Sequence, residues 1–134
     1  LGQAFNKALG DKKGIKRYGS MILPMDEALL LCSLDISGRS FVNYDVMLTA
    51  MKVSDESEFA ESMKVGDFDT ELVKEFMLAL SREIGMTLHI KMLEGENTHH
   101  IIEGIFKCLA RALAHACEID RQFADEIPST KGVL

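Results

Sequence analysis

Two hydrophobic periods meet within residues 86–118, and together they restrict what this chain can fold into. Met86, Leu88, Ile90 and Met92 recur at every second position, the period of a strand with one buried face. After Gly95 and Asn97-Thr98 the spacing changes. Ile102, Phe106, Leu109, Leu113 and Ala116 then fall on one stripe of a helix running from His99 to about Glu118. A half-buried strand needs a sheet and a striped helix needs an apolar layer to cover, so a layered core of both is expected.

The rest of the chain fits that plan. Residues 18–24 and 28–36 read as strands joined in a hairpin around Met25-Asp26-Glu27, Ser37-Gly38-Arg39 is the next turn, and residues 40–48 alternate as a third strand. Residues 49–66 carry Asp55, Glu56, Glu58 and Glu61 without clear period and read as an acidic loop or a frayed strand extension. Asp69 or Thr70 caps a helix striped by Leu72, Val73, Phe76, Leu80 and Ile84, which Gly85 ends. The order β-β-β-α-β-α predicts an α+β fold, a mixed sheet with helices packed on one face. The tail from Glu126 to Gly132 reads as extended and polar. Residues 1–9 already have helical spacing with no capping residue before them, so the chain is expected to open inside a helix, as a piece of a longer one would.

Composition removes several function classes. The 134 residues carry 21 acidic and 15 basic side chains, a net charge of −6, which argues against a broad nucleic-acid surface built on clustered Lys and Arg. No stretch approaches a membrane span, and the first residues lack a secretory pattern. Cys32, Cys108 and Cys117 are odd in number and show no C-x-x-C spacing, which fits buried, reduced thiols in a cytoplasmic protein.

The chemistry concentrates where strand gives way to helix. His89 lies on the strand face opposite Met86, Leu88, Ile90 and Met92. His99 and His100 sit on the first helical turn, about 100° apart around the axis, so they are better placed to hold two ions than one. Glu103, four residues after His99 and three after His100, joins their helical patch. Imidazoles with a carboxylate suit Mn, Fe, Co, Ni or Zn. The alternative reading is a polar helix start exposed to water. His115, sixteen residues beyond His99 and so about 24 Å along the axis, cannot join them. Arg17, Arg39, Ser129 and Lys131 are candidate anion ligands, or else ordinary surface and tail residues. Asp26 at the hairpin tip is either an acid or a turn residue.

Taken together, Gly10-Asp11-Lys12-Lys13-Gly14-Ile15-Lys16-Arg17-Tyr18-Gly19, Pro24-Met25-Asp26-Glu27-Ala28-Leu29, Asp35-Ile36-Ser37-Gly38-Arg39, Thr87-Leu88-His89-Ile90, Asn97-Thr98-His99-His100 with Glu103 and Phe106-Lys107, and Pro128-Ser129-Thr130-Lys131-Gly132 resemble the imidazoleglycerol-phosphate dehydratase family across nearly the whole chain. The resemblance implies a duplicated fold, with residues 1–10 ending the helix of a first half-domain and residues 11–134 forming the second, including a phosphate-binding tail. It implies a hydro-lyase of histidine biosynthesis with two Mn²⁺ ions, to which His89, His99, His100 and Glu103 are this half's ligands. Arg17, Arg39, Ser129 and Lys131 would hold the substrate phosphate, and Asp26 and Lys107 would act beside the substrate. It further implies a large homo-oligomer, a 24-mer in the family, with sites between subunits. A catalytically incomplete metal-binding fragment or structural module is the alternative. Ser40 departs from the proline usual in the family, and the segment around residues 51–66 is longer than usual.

Overall fold

The computed structural model describes residues 1–48, 64–65, 68–132 and 134. The expected acidic loop over residues 49–66 therefore lies almost wholly outside the described residues. The short helix α1 (Gly2–Leu9) precedes a hairpin of β1 (Tyr18–Met25) and β2 (Ala28–Asp35), paired antiparallel from Tyr18↔Asp35 to Met25↔Ala28. Asp26 closes this turn at φ 50°, a left-handed conformation that Asp tolerates better than most residues and that a two-residue hairpin requires.

The third strand, β3 (Phe41–Asp45), does not join the hairpin directly. A small antiparallel pair, β4 (Lys64–Val65) and β5 (Phe68–Asp69), leads into α2 (Glu71–Ile84), and β6 (Thr87–Glu94) follows. β6 inserts between β2 and β3, giving the order β1-β2-β6-β3, antiparallel to β2 and parallel to β3. The α2 crossover supplies the long connection that a parallel pair needs. The last helix, α3 (Thr98–Cys117), is the longest.

Strand alternation divides the sheet into two unlike faces. Leu30, Cys32 and Leu34 of β2 and Leu88 and Ile90 of β6 join Val73, Met77, Leu80, Ile84, Ile101, Ile105, Cys108, Leu109 and Ala112 in one buried cluster. Phe76 of α2 and Phe106 of α3 touch with ring centroids 5.3 Å apart. The helices thus lie side by side on one face, as the apolar pattern predicts, although Leu72, counted in the α2 stripe, is exposed and Met77 is buried instead. The opposite face leaves Tyr18, Ile22 and Phe41 exposed.

Two glycines set how closely α3 lies on the hairpin. A Cβ on Gly19 would collide with the carbonyl oxygen of Ala112, and one on Gly104 would meet the side chain of Leu30. The tail departs from the expected extended form. It runs through turns and bends, held because Gly14 bonds through its N–H to Glu126 and through its carbonyl to the N–H of Asp120. The thiols are free, with Cys32 and Cys108 buried and Cys117 half-buried. Burial pushes the Cys32 thiol up to about 12, as expected of an inert thiol.

Candidate metal half-site

The helix α3 begins where it does because Asn97 caps it. Its side-chain oxygen accepts from the backbone N–H groups of His99 at 2.9 Å and His100 at 3.2 Å, satisfying donors that a first turn otherwise leaves open. This fixes both histidines at the helix start, beside the hairpin tip. The rings of His99 and His100 stand 6.2 Å apart, centroid to centroid, at 63°. They point to different places, as two neighbouring positions on a helix should.

Each imidazole has a carboxylate partner. His99 Nε2 lies 3.5 Å from Glu103, one turn on, and Glu103 also receives Lys107 Nζ at 2.8 Å. His100 is gripped from the hairpin, with Nδ1 2.7 Å from Glu27 and Nε2 3.5 Å from Asp26. Lys107 reaches the same tip, 3.4 Å from the sulfur of Met25. Asp26, Glu27, His99, His100, Glu103 and Lys107 therefore form one cluster. An open hollow of about 370 Å³ adjoins it, lined by Phe68, His99, Ile102, Glu103 and Phe106.

The charges are mutually reinforcing. The hydrogen bond from His100, followed by the backbone N–H of Asn97, pulls the Glu27 carboxyl down to about 2. The same bond raises the His100 imidazole above its ordinary value. Lys107 holds Glu103 below the usual carboxylate range. Glu27 is the residue that single-residue reasoning passed over. Its position beside Asp26 in the Met25-Asp26-Glu27 tip was the available signal, but its partners come from about 70 residues away.

His89 does not meet the other two histidines within one chain. It pairs across the sheet with Ser33 and Asn43 and contacts Phe41 with ring centroids 5.6 Å apart. Leu88 and Ile90 face the helices, so His89 faces the open side. The alternation that turns it away from the packed face also turns it away from α3, which covers that face.

The donors suit a divalent transition metal in kind, being imidazole and carboxylate, but not in number. Among the described residues no group of three or more His, Cys, Asp or Glu side chains converges closely enough to hold an ion. His99, His100 and Glu103 thus stand together as two imidazoles and a carboxylate, and His89, the fourth residue of the expected set, is not among them.

The anion candidates gather at the far end of the hairpin. Arg17 forks onto Asp35, with Nε 2.6 Å and an η nitrogen 3.0 Å from its oxygens, and its other η nitrogen donates to the Pro128 carbonyl at 2.7 Å. Its side chain is only 13% exposed, so Asp35 already occupies much of its fork. Ser37 Oγ lies 3.3 Å from the Arg39 N–H, Ser129 Oγ accepts from the Lys131 N–H at 3.2 Å, and Gly38 lies against Leu134. Arg17, Arg39, Ser129 and Lys131 are thereby brought to one region. Tyr18↔Asp35 and Met25↔Ala28 mark opposite ends of the strand pair, roughly 23 Å apart at about 3.3 Å per residue. His115 is exposed near the C-terminal end of α3, away from the histidine pair.

Comparison with known proteins gives the family and the fold. Residues 1–113 match the family model for imidazoleglycerol-phosphate dehydratase. The whole chain is 54% identical to the protein of that name from Desulforamulus reducens and 51% to that from Lactococcus lactis subsp. cremoris, and it spans about 62% of the length of each. Among solved structures, imidazoleglycerol-phosphate dehydratase from Staphylococcus aureus superposes with a TM-score of 0.77 at 41% identity, over 89% of this chain and 63% of that one. The Pyrococcus furiosus enzyme, solved in complex with (S)-C348, gives 0.75 at 38% identity, over 99% and 67%. A model match over most of its residues, on the same fold, means that the chain belongs to the imidazoleglycerol-phosphate dehydratase family.

Proposed function

We propose that this chain supplies the metal-binding and phosphate-binding elements of a hydro-lyase that converts D-erythro-imidazole glycerol phosphate to imidazole acetol phosphate in histidine biosynthesis. The observation that carries this reading is the cluster at the start of α3, where His99, His100, Glu103 and Lys107 of the helix meet Asp26 of the hairpin tip. His99, His100 and Glu103 would be ligands to Mn²⁺. When bound, the metal supplies Lewis-acid polarisation of the substrate. Asp26 and Lys107 flank those ligands and so would lie within reach of a bound substrate.

The phosphate end is Arg39, Ser129 and Lys131, with Arg17 holding the tail in place through Pro128. Because that end lies roughly 23 Å from the hairpin tip, one chain cannot bring both to one small substrate. For the two ends of this chain to serve one site, one copy must contribute the metal end and another the phosphate end, in a homo-oligomer. His89, on the open sheet face, would reach a metal only across such a contact. A second reading, a catalytically incomplete fragment or structural module without turnover, draws on the absence of three converging ligands among the described residues.

The test joins this chain to the remaining part of the Desulforamulus reducens relative and assays dehydration with Mn²⁺, alongside this chain alone. Turnover in the joined protein that is abolished by His100→Ala and largely kept by His115→Ala supports the lyase. Equal loss in both variants removes the assignment of His100. Metal binding with no turnover in either form favours the module.

A further inference from the structure

The His100 ring is held by a residue outside the proposed ligand set. Glu27 Oε1 accepts from the backbone N–H groups of Asn97 at 2.8 Å and Glu96 at 3.4 Å, while Oε2 lies 2.7 Å from His100 Nδ1. An ionised carboxylate can only accept hydrogen bonds, so the ring nitrogen facing it must carry the proton. In the neutral ring the lone pair is then on Nε2, which has Asp26 3.5 Å away. Metal-ligating histidines commonly donate their second ring N–H to a carboxylate, which fixes tautomer and ring direction.

We infer that Glu27 is a positioning residue: it locks His100 in the Nδ1–H tautomer and so presents Nε2 as the metal-binding atom. The same carboxylate ties the hairpin tip to the chain entering α3, so ring and helix start are held by one side chain. The inference deepens the metal reading of this site and rests on it for its purpose, but the tautomer can be measured without metal.

Glu27→Gln separates positioning from a merely structural role. The backbone at Glu96 and Asn97 offers only donors, so the amide oxygen must face it and keep those bonds. The amide NH₂ then takes the place of Oε2 and donates to Nδ1, which inverts the tautomer to Nε2–H. In the metal-free, full 134-residue chain, with the pH raised until the imidazole ¹⁵N shifts no longer change, ¹⁵N spectra of the His100 ring should give a protonated Nδ1 in the parent and a protonated Nε2 in Glu27→Gln, with both proteins folded. Mn²⁺ affinity, read from the electron paramagnetic resonance of the free ion, should fall about 10- to 100-fold in the variant. Glu27→Ala, which removes every acceptor, should leave a mixture of tautomers. An Nδ1–H ring that survives in Glu27→Gln overturns the inference. If the parent takes up no Mn²⁺ while the tautomer still inverts in Glu27→Gln, the positioning role stands and only the metal reading of this chain by itself is defeated.

Discussion

Glu27 and His100 illustrate how much of the site depends on single hydrogen bonds between distant residues. Their ion pair also sets a pH signature for the metal-free protein. Glu27 is lowered from 4.5 to about 2, so its contribution is fully present above pH 4.5 and is lost as pH falls toward 2. His100 is raised above 6.5, so its contribution is complete below that value and fades as pH rises through the raised one. The two overlap between about pH 4.5 and 6.5. The melting-temperature difference between the parent and Glu27→Gln, followed across pH, should be largest in that window and shrink on both sides. A difference that stays flat across pH would mean that the charge pair contributes nothing. Surface exposure keeps the effect small.

Among the elements, the seating of α3 on β1 is the most demanding contact. Gly19 faces the backbone carbonyl of Ala112, which has no freedom to retreat, whereas Gly104 faces the flexible end of Leu30. Gly19→Ala should therefore destabilise by about 1–3 kcal/mol, the usual cost of overpacking. At Gly104 the strain is offset by the roughly 1 kcal/mol that Ala gains over Gly inside a helix, so Gly104→Ala should be near neutral. Urea denaturation of the two variants checks the contrast, and equal losses would contradict it. The elements themselves were largely readable from periodicity. The hairpin tip, Gly85 and Asn97 carry local signals that stop or start a strand or helix, and the observed boundaries follow them. At α2 the signal was subtler. Thr70 precedes the helix but makes no side-chain cap, and Asp69 accepts from the Glu71 N–H instead.

At the scale of the whole molecule, periodicity says which face of a strand is apolar but not which strand is its neighbour. The insertion of β6 between β2 and β3 follows from the α2 crossover, a long-range choice without a local signal. The same limit applied to the site. His99, His100 and Glu103 were legible because they share one helical turn. Glu27 and the Arg17–Asp35 fork were not, because their partners are brought together only by the fold. His89 shows the converse, since its outward orientation was legible from strand alternation, but its separation from the histidine pair on α3, which covers the other face, was not.

The separation of the hairpin tip from the Arg17, Arg39 and tail region makes the central claim a claim about copies: a working site takes its metal end from one chain and its phosphate end from another. Co-expression of His100→Ala and Arg39→Ala variants of the joined protein tests this most directly. Each alone should fail to dehydrate imidazole glycerol phosphate with Mn²⁺, and the mixed assembly should recover part of the activity, because some sites pair an intact metal end with an intact phosphate end. Mixed assemblies that form but stay as inactive as either variant would contradict the account.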